Sequence, residues 1–376
     1  MKTVSLKKIF ALQPMPFDGI GPSQTCLNIC NAAGQMGVDV HLYGTRRRIP
    51  IPKWCNLNTP FGNAGSFLPY RFASKYLEAA TEKRILADVP ESAVVYAWPA
   101  LRSEIALELK RRNCFIAVEM INIPTIVEKK IIEEEMDREG LHYTHYVTPK
   151  KIENQRRILE IADLVFASNQ YAEEFLKNYG VKENRIVATR YASAIQKPRS
   201  VYHTRKPIFI FVGRICLEKG VHHLLRAWQA AGVDGELHLC GKLDPRFAKQ
   251  YAELLDNPSV KQMGFCKDIH EQYTNSDCLV FLSLAEGGPQ VTIEAAAHGL
   301  PMIVSPMGGG RIADHNQTAI VIDPRKTELV RDSIRKIAAS PWLQKRLGEA
   351  AFIRAREFTW EIAAKERISA IANPPN

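Results

Sequence analysis

Long hydrophobic runs are missing from this chain: nowhere do the ~18 consecutive apolar residues of a membrane span occur, which excludes a membrane bundle. The start, Met1 to Leu12, carries three lysines but only Ile9-Phe10-Ala11-Leu12 as an apolar run, too brief for the core of a secretory leader. Cysteine pairs are missing too. The eight cysteines (26, 30, 55, 114, 216, 240, 266 and 278) form no Cys-x-x-Cys pair, and several lie in apolar, strand-like runs. They are expected to be buried, reduced thiols of a cytosolic protein, which leaves the sequon Asn316-Gln317-Thr318 without meaning. No Gly-x4-Gly-Lys-Ser/Thr run occurs, and Gly19-Ile20-Gly21 has Gln24 where a dinucleotide fingerprint needs a third glycine. Neither a P-loop nor that fingerprint is supported.

What is present is ordinary globular material in quantity. The 376 residues are 46% hydrophobic and 24% charged, enough for two cores and far from the composition of disorder. Lys plus Arg is 50 against 40 Asp plus Glu, a net charge of +10. Residues 1–200 hold 28 basic and 21 acidic side chains, net +7, and the remainder 22 and 19, net +3. A mild basic excess on the first half suggests an anionic partner there.

Short β-branched or apolar runs alternate with amphipathic segments, the pattern of a parallel α/β architecture. Strands are expected at Lys8–Leu12, Asp39–Tyr43, Ala93–Ala97, Phe115–Val118, Leu164–Ala167 and Arg185–Thr189. A second series is expected at Ile208–Val212, Glu236–Cys240, Val260–Met263, Cys278–Ser283, Met302–Ser305 and Ala319–Ile322. Between them, Val221, Leu224, Leu225 and Trp228 fall at i, i+3, i+4, i+7 of a helix. The stretch Tyr191–Pro207, bracketed by Pro198 and Pro207, reads as the mid-chain linker. Two doubly wound halves joined this way face each other across a cleft at the carboxyl ends of both sheets, where ligands bind. Glu128–Glu139, with six acids and three bases, reads as a solvated helix.

Two constellations carry chemistry. In the first, Phe211-Val212-Gly213-Arg214 is followed by Leu217-Glu218-Lys219-Gly220 and the helix at Val221. Two cations beside a helix N-terminus at a strand mouth suit a diphosphate; a pair of solvated cations is the plainer reading. The second is Glu286-Gly287-Gly288-Pro289-Gln290-Val291-Thr292-Ile293-Glu294 after a buried strand. Pro289 fits the first helical turn, Gly299 the cap and Pro301 the stop. Glycines here let a ligand approach the backbone, with Glu286 on the loop and Glu294 eight positions on.

Together these residues resemble the donor half of the retaining glycosyltransferases of family four, over Phe209 to about Pro324. The matching residues are Gly213-Arg214, Glu218-Lys219-Gly220, Glu286-Gly287, Glu294-Ala295, Gly299-x-Pro301 and glycines 308–310. The resemblance implies the GT-B fold: an α/β chain with two doubly wound Rossmann-like domains facing across a cleft. It places an acceptor-side domain at 1–197, a donor-nucleotide domain at 205–358, and a last helix at about 359–376, after Phe358-Thr359-Trp360-Glu361, crossing back onto the first.

By resemblance, Arg214 and Lys219 neutralise a donor diphosphate and Glu286 holds sugar hydroxyls beside Gly287, Gly288, Pro289, Gln290 and Val291. Glu294 accepts from the ribose; Gly264, Phe265 and Cys266 line the base; Gly19 and Gly21 approach diphosphate and acceptor from the first domain. The implied reaction moves a sugar from a nucleoside-diphosphate sugar to a hydroxyl acceptor, with retention, no bound cofactor and no obligatory metal. The absence of any Asp-x-Asp triplet fits metal independence. Polysaccharide, lipid-linked saccharide or glycoconjugate synthesis is the implied setting.

The chain departs from the family after the strand ending at Val118, where relatives carry a histidine and this sequence reads Val118-Glu119-Met120-Ile121-Asn122. Glu119 or Asn122 is the candidate replacement, and a plain loop acid is the alternative. Arg190-Tyr191-Ala192-Ser193 replaces a usual Pro-Asn-Gly turn, and Gly288-Pro289 stiffens the Glu-Gly loop. His142 with His145, and His222 with His223, have no third ligand at metal spacing and are read as non-metal. Arg46-Arg47-Arg48 and Lys110-Arg111-Arg112 read as solvated faces or as docking points for a phosphorylated or lipid-linked acceptor or an anionic membrane at its inner face. Aromatics do not interleave with them, so no nucleic-acid partner is expected. Alternatives are an epimerase or phosphorylase on the same fold, or a silent scaffold.

Overall fold

The structure, a computed structural model, describes residues 6–62, 70–99, 101–143, 146–196 and 206–375, with the side chains of 70–72 excepted. His145 and residues 197–205, which include most of the expected linker, lie outside these, as do residues 1–5.

Among the described residues the strands form two parallel sheets. The first contains β1 (Lys8–Leu12), β2 (Asp39–Tyr43), β3 (Cys55–Asn58), β4 (Val94–Ala97), β5 (Phe115–Met120), β6 (Leu164–Ala167) and β7 (Ile186–Ala188). Their order is β3-β2-β1-β4-β5-β6-β7. The second contains β8 (Ile208–Val212), β9 (Glu236–Cys240), β10 (Val260–Gly264), β11 (Cys278–Phe281), β12 (Met302–Val304) and β13 (Ile320–Val321). Its order is β10-β9-β8-β11-β12-β13.

Parallel strands need helical crossovers, which cover both faces, so inner strands become apolar on both sides. Leu164-Val165-Phe166-Ala167 of β6 and Cys278-Leu279-Val280-Phe281 of β11 are buried throughout. The expected strands match within a few residues at each end. The addition is β3, a polar Cys-Asn-Leu-Asn edge strand paired to β2, without the apolar signature that marks the interior.

Each sheet reverses direction at its first strand. In the first the reversal lies between β1 and β4, in the second between β8 and β11, and in open α/β sheets ligands bind at such switch points. The segments after β8 and β11 are those carrying Arg214, Lys219 and Glu286.

The last helix, Trp360–Ala372, is capped by Thr359, whose side chain accepts from the Ile362 N–H. It packs on the first half of the chain. Arg367 binds Glu119 of β5 at 2.7 and 2.9 Å, and Glu366 accepts from the Arg190 backbone and side chain at 3.0 and 2.6 Å.

The acidic helix Thr125–Arg138 corrects an expectation. Instead of facing solvent, Glu128 and Glu135 are buried, and the acids meet the other half of the chain. Glu135 is hydrogen-bonded to His222 at 3.1 Å and to Arg325 at 2.9 Å. Glu139 takes two nitrogens of Arg226 at 2.7 Å and the Tyr251 hydroxyl at 2.8 Å. The acids are there because the buried imidazoles of the facing helix Val221–Ala231 require partners, and Arg226 and Arg325 add charge pairs.

The basic clusters also differ from plain solvated faces. Arg46 is fully buried while Arg47 and Arg48 are exposed. Lys110 pairs with Asp163 at 2.8 Å, and Arg111 and Arg112 pair with Glu108 at 3.1 and 3.2 Å. The eight cysteines are free thiols, and all but Cys266 are buried. No helix among the described residues is long and apolar enough to cross a membrane.

Candidate active site

Lys219 and Glu286 come together from opposite sides of the second switch point. Lys219 ends a single 3-10 turn after β8, and Gly220, at φ +64°, opens the following helix. A Cβ on Gly220 would sit 2.0 Å from the Leu282 carbonyl oxygen, so only glycine lets the two loops touch here. The loops are then stitched by main chain: the Leu284 N–H donates to Glu218 O at 2.9 Å, and Ser283 Oγ to the same oxygen at 3.3 Å. On this frame the Lys219 ammonium donates to a Glu286 carboxylate oxygen. Burial opposes the lysine's charge, but the carboxylate beside it outweighs burial and raises its pKa.

Arg214 lies one turn away and bends outward, 3.3 Å from Glu218. It lines a cavity of about 320 Å³ with Tyr143, Tyr146, Glu218 and Arg246. Arg214 and Lys219 thus flank the strand mouth without sharing a partner.

Pro289 precedes the helix Gln290–Ala297. Within that helix Glu294 accepts from the hydroxyl of fully buried Tyr273 at 2.9 Å. Burial raises its carboxyl to about 7, an effect only partly opposed by that hydrogen bond. A carboxyl this high changes charge near neutrality and is sensitive to any donor brought to it.

Gly264 ends β10, and Phe265 and Cys266 follow it. The Gly241 N–H donates to Gly264 O at 2.7 Å, and Phe265 projects into solvent at 68% exposure. Gly264 and Phe265 line a groove of about 540 Å³ with Ile215, Gly241, Lys242, Leu243 and Gln262. An exposed aromatic beside an open groove is suited to stacking.

The glycines of the Glu-Gly loop also have a packing role that the sequence did not indicate. A Cβ on Gly287 would lie 2.3 Å from the backbone of Asn122, and one on Gly288 would lie 2.4 Å from the Tyr191 ring. Both glycines admit the first half of the chain at close range. Asn169 adds hydrogen bonds to Glu286 O at 3.5 Å and Met307 O at 3.1 Å. Gln290 meets Thr25 at 2.9 Å, which brings the Gly19–Gly21 loop and the helix Pro22–Gln35 against the start of Gln290–Ala297. Val291, next in that helix, is half-buried.

The Glu119 side chain is turned into the interior. It is 1% exposed, its oxygens engaged by Arg367 and by the Tyr96 hydroxyl at 2.5 Å. The backbone of Ile121 and Asn122 is the part of that segment that reaches Gly287.

Sequence reasoning missed Glu128 and Tyr146. The Tyr146 hydroxyl donates to Glu128, whose carboxyl is raised by burial against the opposing effects of Tyr146 and Lys219. Both line an 820 Å³ cavity with Trp98, Asn122, Lys150 and Lys151 at the ends of β4 and β5. No local signal marks them: Glu128 is one of six acids in its run, and only the fold selects it.

Residues 194–354 match the family model described as glycosyl transferases group 1. Among curated proteins, the chain is 24% identical over 207 residues to the capsular polysaccharide biosynthesis glycosyltransferase CapM of Staphylococcus aureus, covering 50% of this chain and 54% of that one. It is 27% identical over 240 residues to a D-inositol 3-phosphate glycosyltransferase of Rhodococcus jostii, covering 57% and 53%. The match thus spans little more than half the length of these relatives.

Among solved structures, sucrose-phosphate synthase from Thermosynechococcus elongatus superposes with a TM-score of 0.74 at 19% identity, over 96% of this chain and 97% of that chain. Anabaena HepE, solved in complex with UDP and glucose, superposes at 0.69 and 15% identity, over 97% and 99%.

Proposed function

We propose that this chain, which has the GT-B fold and whose residues 194–354 match the group 1 glycosyltransferase model, moves a sugar from a nucleoside-diphosphate sugar to a hydroxyl acceptor with retention of configuration and without an obligatory metal. The observation that carries this reading is the Lys219–Glu286 pair at the β8/β11 switch point, beside Arg214. A pyrophosphate and the sugar attached to it divide that pair between them. The phosphates take Lys219 and Arg214, and sugar hydroxyls donate to Glu286.

As the bond from the sugar to the diphosphate breaks, negative charge grows on the leaving oxygen, where fixed cations stabilise it without rearrangement. The acceptor oxygen bonds to the sugar carbon on the face the diphosphate leaves, and its proton departs with the diphosphate. Glu294 is placed for ribose hydroxyls and the Phe265 groove for the base. The 820 Å³ cavity bordered by Asn122 and Glu128 faces the donor site from the other sheet and is the proposed acceptor side. Similarity to the capsular polysaccharide biosynthesis glycosyltransferase of Staphylococcus aureus supports glycan or glycoconjugate assembly as the setting.

The test is product stereochemistry. UDP-, GDP- and ADP-sugars are screened by thermal shift, since a ligand of the folded state raises the melting temperature. The best donor is then followed by NMR in the presence of EDTA. Transfer with the donor's anomeric configuration supports the reading. An inverted product, an activity abolished by EDTA without any change in melting temperature, or no transfer from any bound donor overturns it.

A further inference from the structure

Away from the Lys219–Glu286 pair, three potential metal ligands converge from the two halves of the chain. Glu135 belongs to the helix Thr125–Arg138 that follows β5, whereas His222 and His223 open the helix Val221–Ala231 that follows β8. Glu135 Oε1 lies 3.1 Å from His222 Nε2 and 2.8 Å from His223 Nε2, and the two imidazole rings are 3.9 Å apart. The three residues are 1%, 0% and 6% exposed. Among the described residues this is the one such group whose donor atoms all lie within 4.8 Å of one another.

Hydrogen bonding does not account for the arrangement. One carboxylate oxygen faces two imidazole nitrogens, and only His222 is aligned to bond it. His223 Nε2, though nearer, has no hydrogen-bond partner. Buried polar atoms are rarely left so. A nitrogen close to an oxygen but turned off the hydrogen-bond axis is what two ligands of one ion look like. Zinc–nitrogen and zinc–oxygen bonds of about 2.0–2.2 Å put tetrahedral ligands about 3.3 Å apart, so each imidazole nitrogen needs to move only a few tenths of an ångström from the carboxylate oxygen.

We propose that Glu135, His222 and His223 bind a divalent first-row ion of zinc's kind, which clamps the helix after β5 to the helix after β8. Imidazole nitrogens and a carboxylate are the donor set for such an ion. The other carboxylate oxygen is held by Arg325 at 2.9 Å and Arg138 at 3.2 Å, which keeps Glu135 monodentate and orients it as outer partners of metal ligands do. Their positive charge also weakens the site relative to a bare ligand set. The neighbouring Glu139 is already engaged by Arg226 and Tyr251. The ligands come from helices serving different sheets, so the ion restrains the two halves relative to one another and takes no part in sugar transfer.

The test uses the full chain without a histidine tag, stripped with EDTA and dialysed. Cobalt(II) at one equivalent should give the intense visible bands of a four-coordinate site without thiolate charge transfer, and zinc should displace it. Zinc should raise the melting temperature, and His223→Asn should weaken zinc binding by at least about tenfold. X-ray absorption on the zinc-loaded wild type, which needs no variant to fold, should show two imidazoles and no sulfur. A sulfur shell, an all-oxygen shell, absence of binding at tens of micromolar zinc, or unchanged affinity in folded His223→Asn overturns the proposal.

Discussion

Arg367 and Glu119, 248 positions apart in the chain, form a fully buried ion pair at 2.7 and 2.9 Å that fastens the last helix to β5. Tyr96 adds a hydroxyl to the same carboxylate, and the guanidinium reaches the Arg190 and Ala363 carbonyl oxygens at 3.0 and 2.8 Å. Both charges are desolvated, and their partners are chosen to match.

Removing one member leaves the other charged in an apolar interior. Arg367→Ala or Glu119→Ala should therefore cost about 3–5 kcal/mol, read as a shift in urea midpoint. Replacing both with apolar residues of similar volume should recover most of that loss. Equal urea midpoints for Arg367→Ala and wild type would contradict the assignment.

Gly287 sets how closely the two halves approach. Gly287→Ala places a methyl 2.3 Å from the Asn122 backbone, a contact that no rotamer relieves. The loop carrying Glu286 must then move away from β5. Turnover should fall by about a hundredfold, the effect of an ~1 Å misplacement, while urea unfolding of each half changes little. Steady-state kinetics on the folded variant checks this.

With Glu294 at the ribose, as proposed, nucleotide binding is expected to depend on pH. Its carboxyl is raised to about 7 from 4.5, so between those values the folded state holds a proton that the unfolded state has lost. Stability from this group is present below about pH 4.5, declines as pH rises towards 7, and is level above it. Ribose hydroxyls donating to Glu294 favour its ionised form and lower its pKa. Binding of a nucleoside diphosphate at pH 6.5 should release a proton, seen as a dependence of calorimetric enthalpy on buffer ionisation heat. Glu294→Gln should abolish that dependence.

Local spacing made the donor side readable. The segments Phe211–Gly220 and Glu286–Glu294 are short, follow apolar strands and carry their own turn and cap residues, so their place at the sheet mouth could be read directly. Long-range pairings were not readable in that way. Glu119 looked like a loop acid because its partner Arg367 lies in the last helix, and Glu135 looked solvated because His222, His223 and Arg325 arrive from the other sheet. Gly287 and Gly288 have the composition of a ligand loop, yet their neighbours are Asn122 and Tyr191. β3 escaped because an edge strand needs backbone partners on one side only and can be polar.

The most direct test of the central claim is to compare transfer and diphosphate binding in Lys219→Ala and Glu286→Gln. Loss of a charge-stabilising contact at the leaving group should lower kcat of Lys219→Ala by about 10²–10³-fold and weaken nucleoside-diphosphate binding. Glu286→Gln should lose transfer to a similar degree while binding the free nucleoside diphosphate as the wild type does. Wild-type turnover in either folded variant would contradict the assignment of this pair to the donor site.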